Sequence, residues 1–171
     1  MSRFATLTPS ALGRDAFIAA FADIYEHSPW VAAHTFDLHQ GPALDDVETL
    51  HARMSEVLLA ADRERQLALI NAHPDLAGKA AVRGELTESS TREQAGAGIH
   101  QCTPEEFQRF TALNEAYKAR FAFPFIMAVK GSDRHRILAA FEQRIHNPVD
   151  TEFACALAEI NKIALFRLQA L

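Results

Sequence analysis

Apolar residues recur at intervals of three and four along almost the whole chain, and this spacing limits the fold more than any other feature. Such spacing places side chains on one face of an α-helix, whereas a half-buried strand alternates with a period of two. The pattern therefore predicts an all-α protein, an irregular bundle of about eight helices. The clearest stripes are Phe17, Phe21, Ile24 and Tyr25, then Leu44, Val47, Leu50, Met54, Val57 and Leu58, and then Leu67 and Ile70.

Helix boundaries are marked by capping residues and prolines. Thr103-Pro104-Glu105-Glu106 has the form of a capping box with proline in the first turn. The helix that it opens is expected to end near Pro124. The apolar run from Phe121 to Val129 is predicted to be a helix end followed by a buried loop. Ser132 is predicted to cap the next helix.

Composition excludes several classes of partner. The 171 residues contain no repeat or low-complexity tract, so a single domain over residues 1–171 is expected. A net charge of −5 without a Lys/Arg cluster argues against nucleic acid. No apolar run approaches the roughly 20 residues of a membrane helix. Cys102 and Cys155 form no CxxC motif and no signal peptide is visible, which favours the cytoplasm.

His73 is the first candidate for chemistry. Pro74 disfavours helical geometry at the preceding residue, so the helix that carries Ile70 must stop here. The imidazole then lies beside a loop, and its ordinary pKa suits proton transfer near neutral pH. The alternative is a helix-terminal histidine that complements the helix dipole. Asp75, two residues after His73, is open to a purely structural interpretation as the N-cap of a short following helix.

Ser90 and Glu93 are the second candidate, because residues three apart share one helix face. The same spacing is that of a capping box, so a polar site and a helix cap are both open. Gly96 and Gly98 follow closely, although each glycine disfavours a helix by roughly 1 kcal/mol. They predict a close backbone approach, by a ligand or by a neighbouring helix.

Arg167 is the third candidate. It lies seven residues after Ile160, on the inward stripe of the last predicted helix. A guanidinium that faces a core is costly unless it meets an anion. Alternatively, Arg167 extends to water near the chain end.

Two other functions fit parts of the sequence. His34, Asp37 and His39 are close in the chain, which allows a metal-dependent hydrolase, although their spacing is not that of HExxH. A non-catalytic helical interaction module would use the polar candidates only as caps and surface charges.

The ordered set of these residues resembles one family over nearly the whole chain. It comprises Tyr25-Glu26-His27-Ser28-Pro29-Trp30, His73-Pro74-Asp75-Leu76-Ala77-Gly78, Ser90-x-x-Glu93-Gln94-x-x-Ala97-Gly98, Phe123-Pro124-Phe125-Ile126, and Arg167. The sequence resembles the 2-oxo-4-hydroxy-4-carboxy-5-ureidoimidazoline (OHCU) decarboxylases of urate degradation.

The resemblance implies an all-α lyase, typically a homodimer, that converts OHCU to (S)-allantoin without a cofactor or metal. The chain lacks a C-terminal Ser-Lys-Leu, which suits a cytoplasmic member. His73 would transfer protons, with Glu93 beside it in a catalytic role. The resemblance implies that the substrate contacts are Pro74, Ser90, Thr91, Arg92, Glu93, Gln94, Phe125, Ile126, Met127, Ala128, Val129 and Arg167.

Overall fold

The computed structural model describes residues 2–78 and 84–171, and within them it confirms the predicted all-α class. Three short 3₁₀ turns connect the helices, at Pro9–Ala11, Pro42–Asp45 and Ile99–Gln101. No helix in these ranges has the length and apolar character needed to cross a membrane. The eight α-helices of these ranges are α1 (Arg14–Phe21), α2 (Trp30–Leu38), α3 (Val47–Ala60), α4 (Arg63–Ala72), α5 (Glu88–Gly96), α6 (Pro104–Phe121), α7 (Arg134–Arg144) and α8 (Val149–Gln169).

The chain divides into two compact units. The first contains the residues up to Ala72 together with Ile160–Leu171, and the second runs from His73 to Glu159. Helices α1 to α4 and the end of α8 belong to the first unit, while α5, α6, α7 and the start of α8 belong to the second. The single domain over residues 1–171 stays a prediction.

The core of the first unit follows the predicted apolar stripes. Phe17 and Phe21 of α1 are buried, with ring centroids 4.8 Å apart, and Ile24 and Tyr25 are buried in the turn beyond. Every residue of the stripe from Leu44 to Leu58 is also buried. The structure therefore confirms both stripes as core.

The buried face of helix α4 differs from the one that the sequence predicts. Leu67 is only half-buried, whereas Gln66 is buried. The Gln66 amide donates hydrogen bonds to the carbonyl oxygens of Leu58 (3.1 Å) and Leu59 (3.3 Å). Both carbonyls lie in the last turn of α3, where the intrahelical hydrogen bonds run out. The Leu58 oxygen also accepts from the Ala61 N–H (3.2 Å), and Gln66 is thus a polar side chain that closes this helix end where periodicity predicts an apolar one.

The second unit is built around α6. Its predicted capping box is present, with the Thr103 hydroxyl accepting from the Glu106 N–H and the Glu106 carboxylate accepting from the Thr103 N–H. The helix ends at Phe121, and Ala122 takes a left-handed φ of 61°. An irregular segment then runs to α7, with Phe123, Phe125, Ile126 and Val129 buried, as the apolar run predicts.

The cap of α7 is Asp133 rather than the predicted Ser132. The Asp133 carboxylate accepts from the backbone N–H groups of His135 and Arg136, both at 2.9 Å. These hydrogen bonds and the adjacent Arg136 and His135 side chains hold the pKa of Asp133 below its usual value. A carboxylate is the stronger acceptor at a helix N-terminus, which explains the shift by one residue.

Two adjacent leucines of α3 test the core assignment. Leu58 is fully buried and Leu59 is 59% exposed. Replacing Leu58 by Ala is expected to lower the free energy of unfolding by about 2–5 kcal/mol, because it leaves a cavity. Leu59→Ala, the matched control, should stay within about 0.5 kcal/mol. Urea unfolding measures both, and equal losses would contradict the assignment.

Candidate active site

The segment His73–Gly78 is the centre of the candidate site in the second unit. Helix α4 ends at Ala72, one residue before His73, as Pro74 predicts. Leu76 and Ala77 are buried, and Ala77 has a left-handed φ of 53°. Buried backbone groups outside helices and strands need hydrogen-bond partners from elsewhere. The neighbouring side chains supply them.

Three polar side chains hold this segment. The Gln94 carbonyl oxygen accepts from the Ala77 N–H (3.1 Å), and the Gln94 amide donates to the Asp75 carbonyl oxygen (3.4 Å). The Asn114 amide donates to the Leu76 carbonyl oxygen (2.9 Å), and Lys118 Nζ lies 2.6 Å from Asp75 Oδ2. Gln94 belongs to α5, while Asn114 and Lys118 belong to α6. Both helices thus fix the backbone that follows His73.

Asp75 therefore has a defined role in the structure, as the partner of Lys118. The alternative reading of Asp75 as the N-cap of a short following helix stays a prediction, because residues 79–83 lie outside the described residues.

Helix α5 presents its polar residues in a definite order. The Thr87 hydroxyl caps it by accepting from the Ser90 N–H (3.2 Å). Ser90 is therefore inside the first turn, so its reading as a helix-capping residue is wrong. Ser90 and Gln94 are buried, one turn apart, and Glu93 beside them is half-buried. These three side chains form the inner polar face of α5.

Thr91 and Arg92 point to the other side of α5. Both are exposed, and the Thr91 hydroxyl donates to the Thr87 carbonyl oxygen within the helix (2.9 Å). Their contacts with a substrate stay predictions. The family resemblance implies contacts from all five residues between Ser90 and Gln94, although these residues lie on different faces of α5.

Gly96 is the last residue of α5 and Gly98 lies two residues beyond it, and their surroundings differ. A Cβ added to Gly96 would meet no described atom within 4 Å, so no neighbouring helix of the described ranges approaches it closely, and the approach of a ligand stays a prediction. Gly98 has a φ of +74° and begins the 3₁₀ turn that follows. Its requirement is conformational, because residues with a Cβ rarely adopt this geometry.

The segment Phe125–Val129 lies between α6 and α7 in the same unit as His73. Phe125, Ile126 and Val129 are buried, while Met127 and Ala128 are half-buried. The Ala128 N–H donates to Oε1 of Glu159 (3.4 Å). The segment is thus packed by its apolar side chains and has no helical or strand hydrogen bonding of its own.

Arg167 belongs to the first unit. Its side chain is only 7% exposed, and Nη1 lies 2.8 Å from Oε2 of Glu26 and 3.1 Å from the Asp23 carbonyl oxygen. The expectation that a buried guanidinium meets an anion is confirmed, and its extension to water is wrong. The guanidinium is in this way held against the turn that contains Asp23 and Glu26.

Sequence reasoning missed the role of Glu26. This residue lies in a tight turn in which the Ser28 hydroxyl donates to the Glu26 carbonyl oxygen (2.9 Å) and His27 has a φ of 48°. The Glu26 side chain is 2% exposed. The only signal was its place in the motif from Tyr25 to Trp30, because residues in a turn carry no helical period.

The alternative metal centre finds no support in the described ranges. Both carboxylate oxygens of Asp37 accept from Arg14, at 2.9 and 3.0 Å, and His39 lies 3.9 Å from Glu56. In residues 2–78 and 84–171, no three His, Cys, Asp or Glu side chains are grouped as metal ligands. His34, Asp37 and His39 therefore do not form a ligand set.

Comparisons with known proteins show which family the chain is similar to. A sequence profile of the family described as OHCU decarboxylase matches residues 10–169. The 2-oxo-4-hydroxy-4-carboxy-5-ureidoimidazoline decarboxylase of Haloferax volcanii is 41% identical over 157 residues, which cover 92% of this chain and 89% of that protein. The protein of the same name from Halalkalicoccus jeotgali is 37% identical over 171 residues, 100% of this chain and 93% of its own.

A solved structure agrees with these relatives. The crystal structure of an (S)-allantoin synthase superposes with a TM-score of 0.74 at 28% identity, and the match covers 95% of this chain and 52% of that chain. The described helices and the relatives together define an all-α lyase. The chain belongs to the OHCU decarboxylase family. This assignment also decides against a non-catalytic interaction module.

The buried pair of Arg167 and Glu26 can be tested by its contribution to stability. Glu26→Gln is expected to lower the free energy of unfolding by about 3–5 kcal/mol, because the buried guanidinium loses its counter-charge. Glu56→Gln is the matched control, since Glu56 pairs with Arg53 at the surface with a side chain 57% exposed. Thermal unfolding at neutral pH measures both, and a Glu26→Gln variant as stable as the control would contradict the pairing.

Proposed function

We propose that this protein decarboxylates OHCU to (S)-allantoin in urate degradation. Membership of the family supports the reaction. The structural observation that carries the proposal is the pair of hydrogen bonds by which Gln94 holds the segment after His73. They tie the imidazole-bearing segment to the helix whose inner face also carries Ser90 and Glu93.

The substrate chemistry explains why a few polar side chains suffice. OHCU carries a carboxylate and a hydroxyl on one ring carbon, beside a ring C=N. When the bond to the carboxylate breaks, CO₂ leaves and its electron pair moves into the adjacent C=N, which gives an enol-like intermediate. The ring nitrogen that receives the electron pair takes up one proton, the hydroxyl oxygen loses its proton to become a carbonyl, and the neighbouring carbon gains a proton, so that one proton is consumed overall. The electron acceptor is part of the substrate, so the proposal includes no cofactor.

His73 is proposed to transfer the proton. Its position after a helix end and before Pro74 restricts its backbone, which favours delivery of the proton to one face of the intermediate. General acid–base catalysis of this kind contributes roughly 10²–10⁴-fold. Glu93 is proposed to orient the hydroxyl and ureido groups, and Ser90 to donate a hydrogen bond to the ring or ureido group.

Further contacts complete the proposal. Arg167 suits a ring carbonyl or the carboxylate, because its planar guanidinium donates several hydrogen bonds in a fixed geometry. Pro74 and the backbone of residues 125–129 are proposed to contact the ring. Gln94 acts mainly through the His73 segment, since its carbonyl oxygen and its amide both bind that backbone. Thr91 and Arg92 complete the proposed contacts from the exposed side of α5.

The reaction can be tested with freshly prepared OHCU, which decays spontaneously to racemic allantoin. The protein should accelerate the decay and produce one enantiomer, which circular dichroism detects. Dialysis against a chelator should leave the rate unchanged, in contrast to a metal-dependent hydrolase. Racemic product at the spontaneous rate would refute the proposed function.

His73→Asn tests the proton-transfer role. Asparagine keeps a polar side chain of similar reach but cannot take up a proton near neutral pH. We expect turnover to fall by at least about 10²-fold, while the unfolding temperature and the affinity for (S)-allantoin stay near those of the parent protein. His100→Asn is the control, because His100 is exposed. Near-normal turnover in His73→Asn would remove His73 from the mechanism.

The family resemblance also supports a homodimer in the cytoplasm as part of this proposal. Neither Cys102 nor Cys155 lies in a disulfide, which agrees with a reducing compartment. Light scattering on the purified protein is expected to give twice the chain mass of 18.9 kDa. A mass of one chain at micromolar concentration would contradict the dimer.

A further inference from the structure

A buried carboxylate in the second unit takes no part in the proposed reaction. Glu152, in the first turn of α8, is fully buried. Its Oε1 accepts from the Tyr117 hydroxyl (2.6 Å) and from Arg144 Nε (2.9 Å), and its Oε2 accepts from the Asn147 amide (3.0 Å). Burial and the hydrogen bond to this carboxylate raise the pKa of Tyr117, so its hydroxyl stays protonated and donates.

The Arg144 side chain reaches from Glu152 to the irregular segment between α6 and α7. Its Nη1 donates to the Ile126 carbonyl oxygen at 2.6 Å. Its guanidinium also lies over the Phe125 ring, 4.3 Å from the centroid. The Phe125 ring also stacks with Phe141, with centroids 3.9 Å apart and planes within 9°. One guanidinium therefore holds the backbone and a side chain of consecutive residues.

Stability alone is a weak reason for this arrangement. Removing two charges from water is costly, and well-packed apolar residues often replace a buried ion pair without loss. What apolar residues do not reproduce is the hydrogen bond to the Ile126 carbonyl. The consequence of the ion pair is thus the orientation of one peptide group.

The orientation of that peptide group determines the direction of the next N–H. The described peptide bonds are all trans, so the Ile126 carbonyl and the Met127 N–H lie in one plane and point in opposite directions. The hydrogen bond from Arg144 to the carbonyl therefore aims the Met127 N–H. In the described ranges, this N–H meets no acceptor, and Met127 is only half-buried.

We propose that Arg144, fixed by Glu152, is a positioning residue that aims the Met127 N–H at an oxygen of the substrate. The inference rests on the proposed function, in which the backbone of residues 125–129 contacts OHCU. Arg144 itself acts only through the Ile126 peptide group. The oxygen is a carbonyl or carboxylate oxygen, because an N–H donor needs an acceptor.

The variant Arg144→Lys tests this role while it keeps the charge. A lysine ammonium lacks the planar fork of donors that bridges the carboxylate and the carbonyl. We expect kcat/KM for OHCU to fall about 10–100-fold, mainly through KM, because the lost contact is made by substrate and transition state alike. The affinity for (S)-allantoin, measured by calorimetry, should fall by a similar factor.

Two further variants separate positioning from folding. Glu142→Gln is the matched control, since it breaks the exposed Arg109–Glu142 pair between α6 and α7 and should leave kcat/KM within about twofold of the parent value. Tyr117→Phe removes one donor to Glu152 with little change of shape, and should raise KM about threefold. It serves as the test if Arg144→Lys does not fold.

The outcomes are distinct. A folded Arg144→Lys variant with unchanged KM and allantoin affinity overturns the inference and leaves the proposed function intact. Unchanged KM in Tyr117→Phe does the same if Arg144→Lys does not fold. If the parent protein does not accelerate OHCU decay, the proposed function and this inference fail together. A raised KM confined to the Arg144 and Tyr117 variants supports the inference.

Discussion

The candidate site depends on the two hydrogen bonds by which the Gln94 side-chain amide holds the backbone after His73. The segment after His73 is irregular and partly buried, and Ala77 in it has a left-handed backbone. Its peptide groups have no helix or strand to satisfy them, so a side chain must do so. Gln94 offers both an acceptor and a donor, and it uses both on this segment. The same hydrogen bonds join the segment to the helix that carries Ser90 and Glu93.

A second pattern recurs inside each unit, where a buried glutamate meets an arginine whose side chain is at most 12% exposed. Arg167 pairs with Glu26 in the first unit, and Arg144 pairs with Glu152 in the second. In both cases the carboxylate meets the need of a buried cation for a counter-charge. Each guanidinium also donates to a carbonyl oxygen of an irregular segment, at Asp23 and at Ile126. Buried charge here holds backbone that secondary structure does not hold.

The elements that sequence predicted well depend on local rules. Helix α4 ends where Pro74 requires it, and α6 begins with the capping box formed by Thr103 and Glu106. Two of the readings that were wrong concern a choice among nearby polar residues. Asp133 rather than Ser132 caps α7, and Thr87 rather than Ser90 caps α5. The N-cap is the residue whose side chain reaches the unpaired N–H groups of the first helical turn. Several neighbouring residues near each helix start have side chains that can accept such a hydrogen bond.

The sequence predicted the residue types of the candidate site but not all of their partners. The motif around His73 was recognised by residue type and order, and a buried anion for Arg167 was expected on grounds of cost. The sequence did not indicate that Glu26 is that anion, or that Asn114 holds the Leu76 carbonyl. Residue order alone therefore set the helical class, the helix ends marked by Pro74 and by the Thr103 capping box, and the types of side chain available for chemistry. Tertiary structure decided which polar groups meet, because helix periods and caps act within one turn, whereas ion pairs and side-chain hydrogen bonds join residues far apart in the chain.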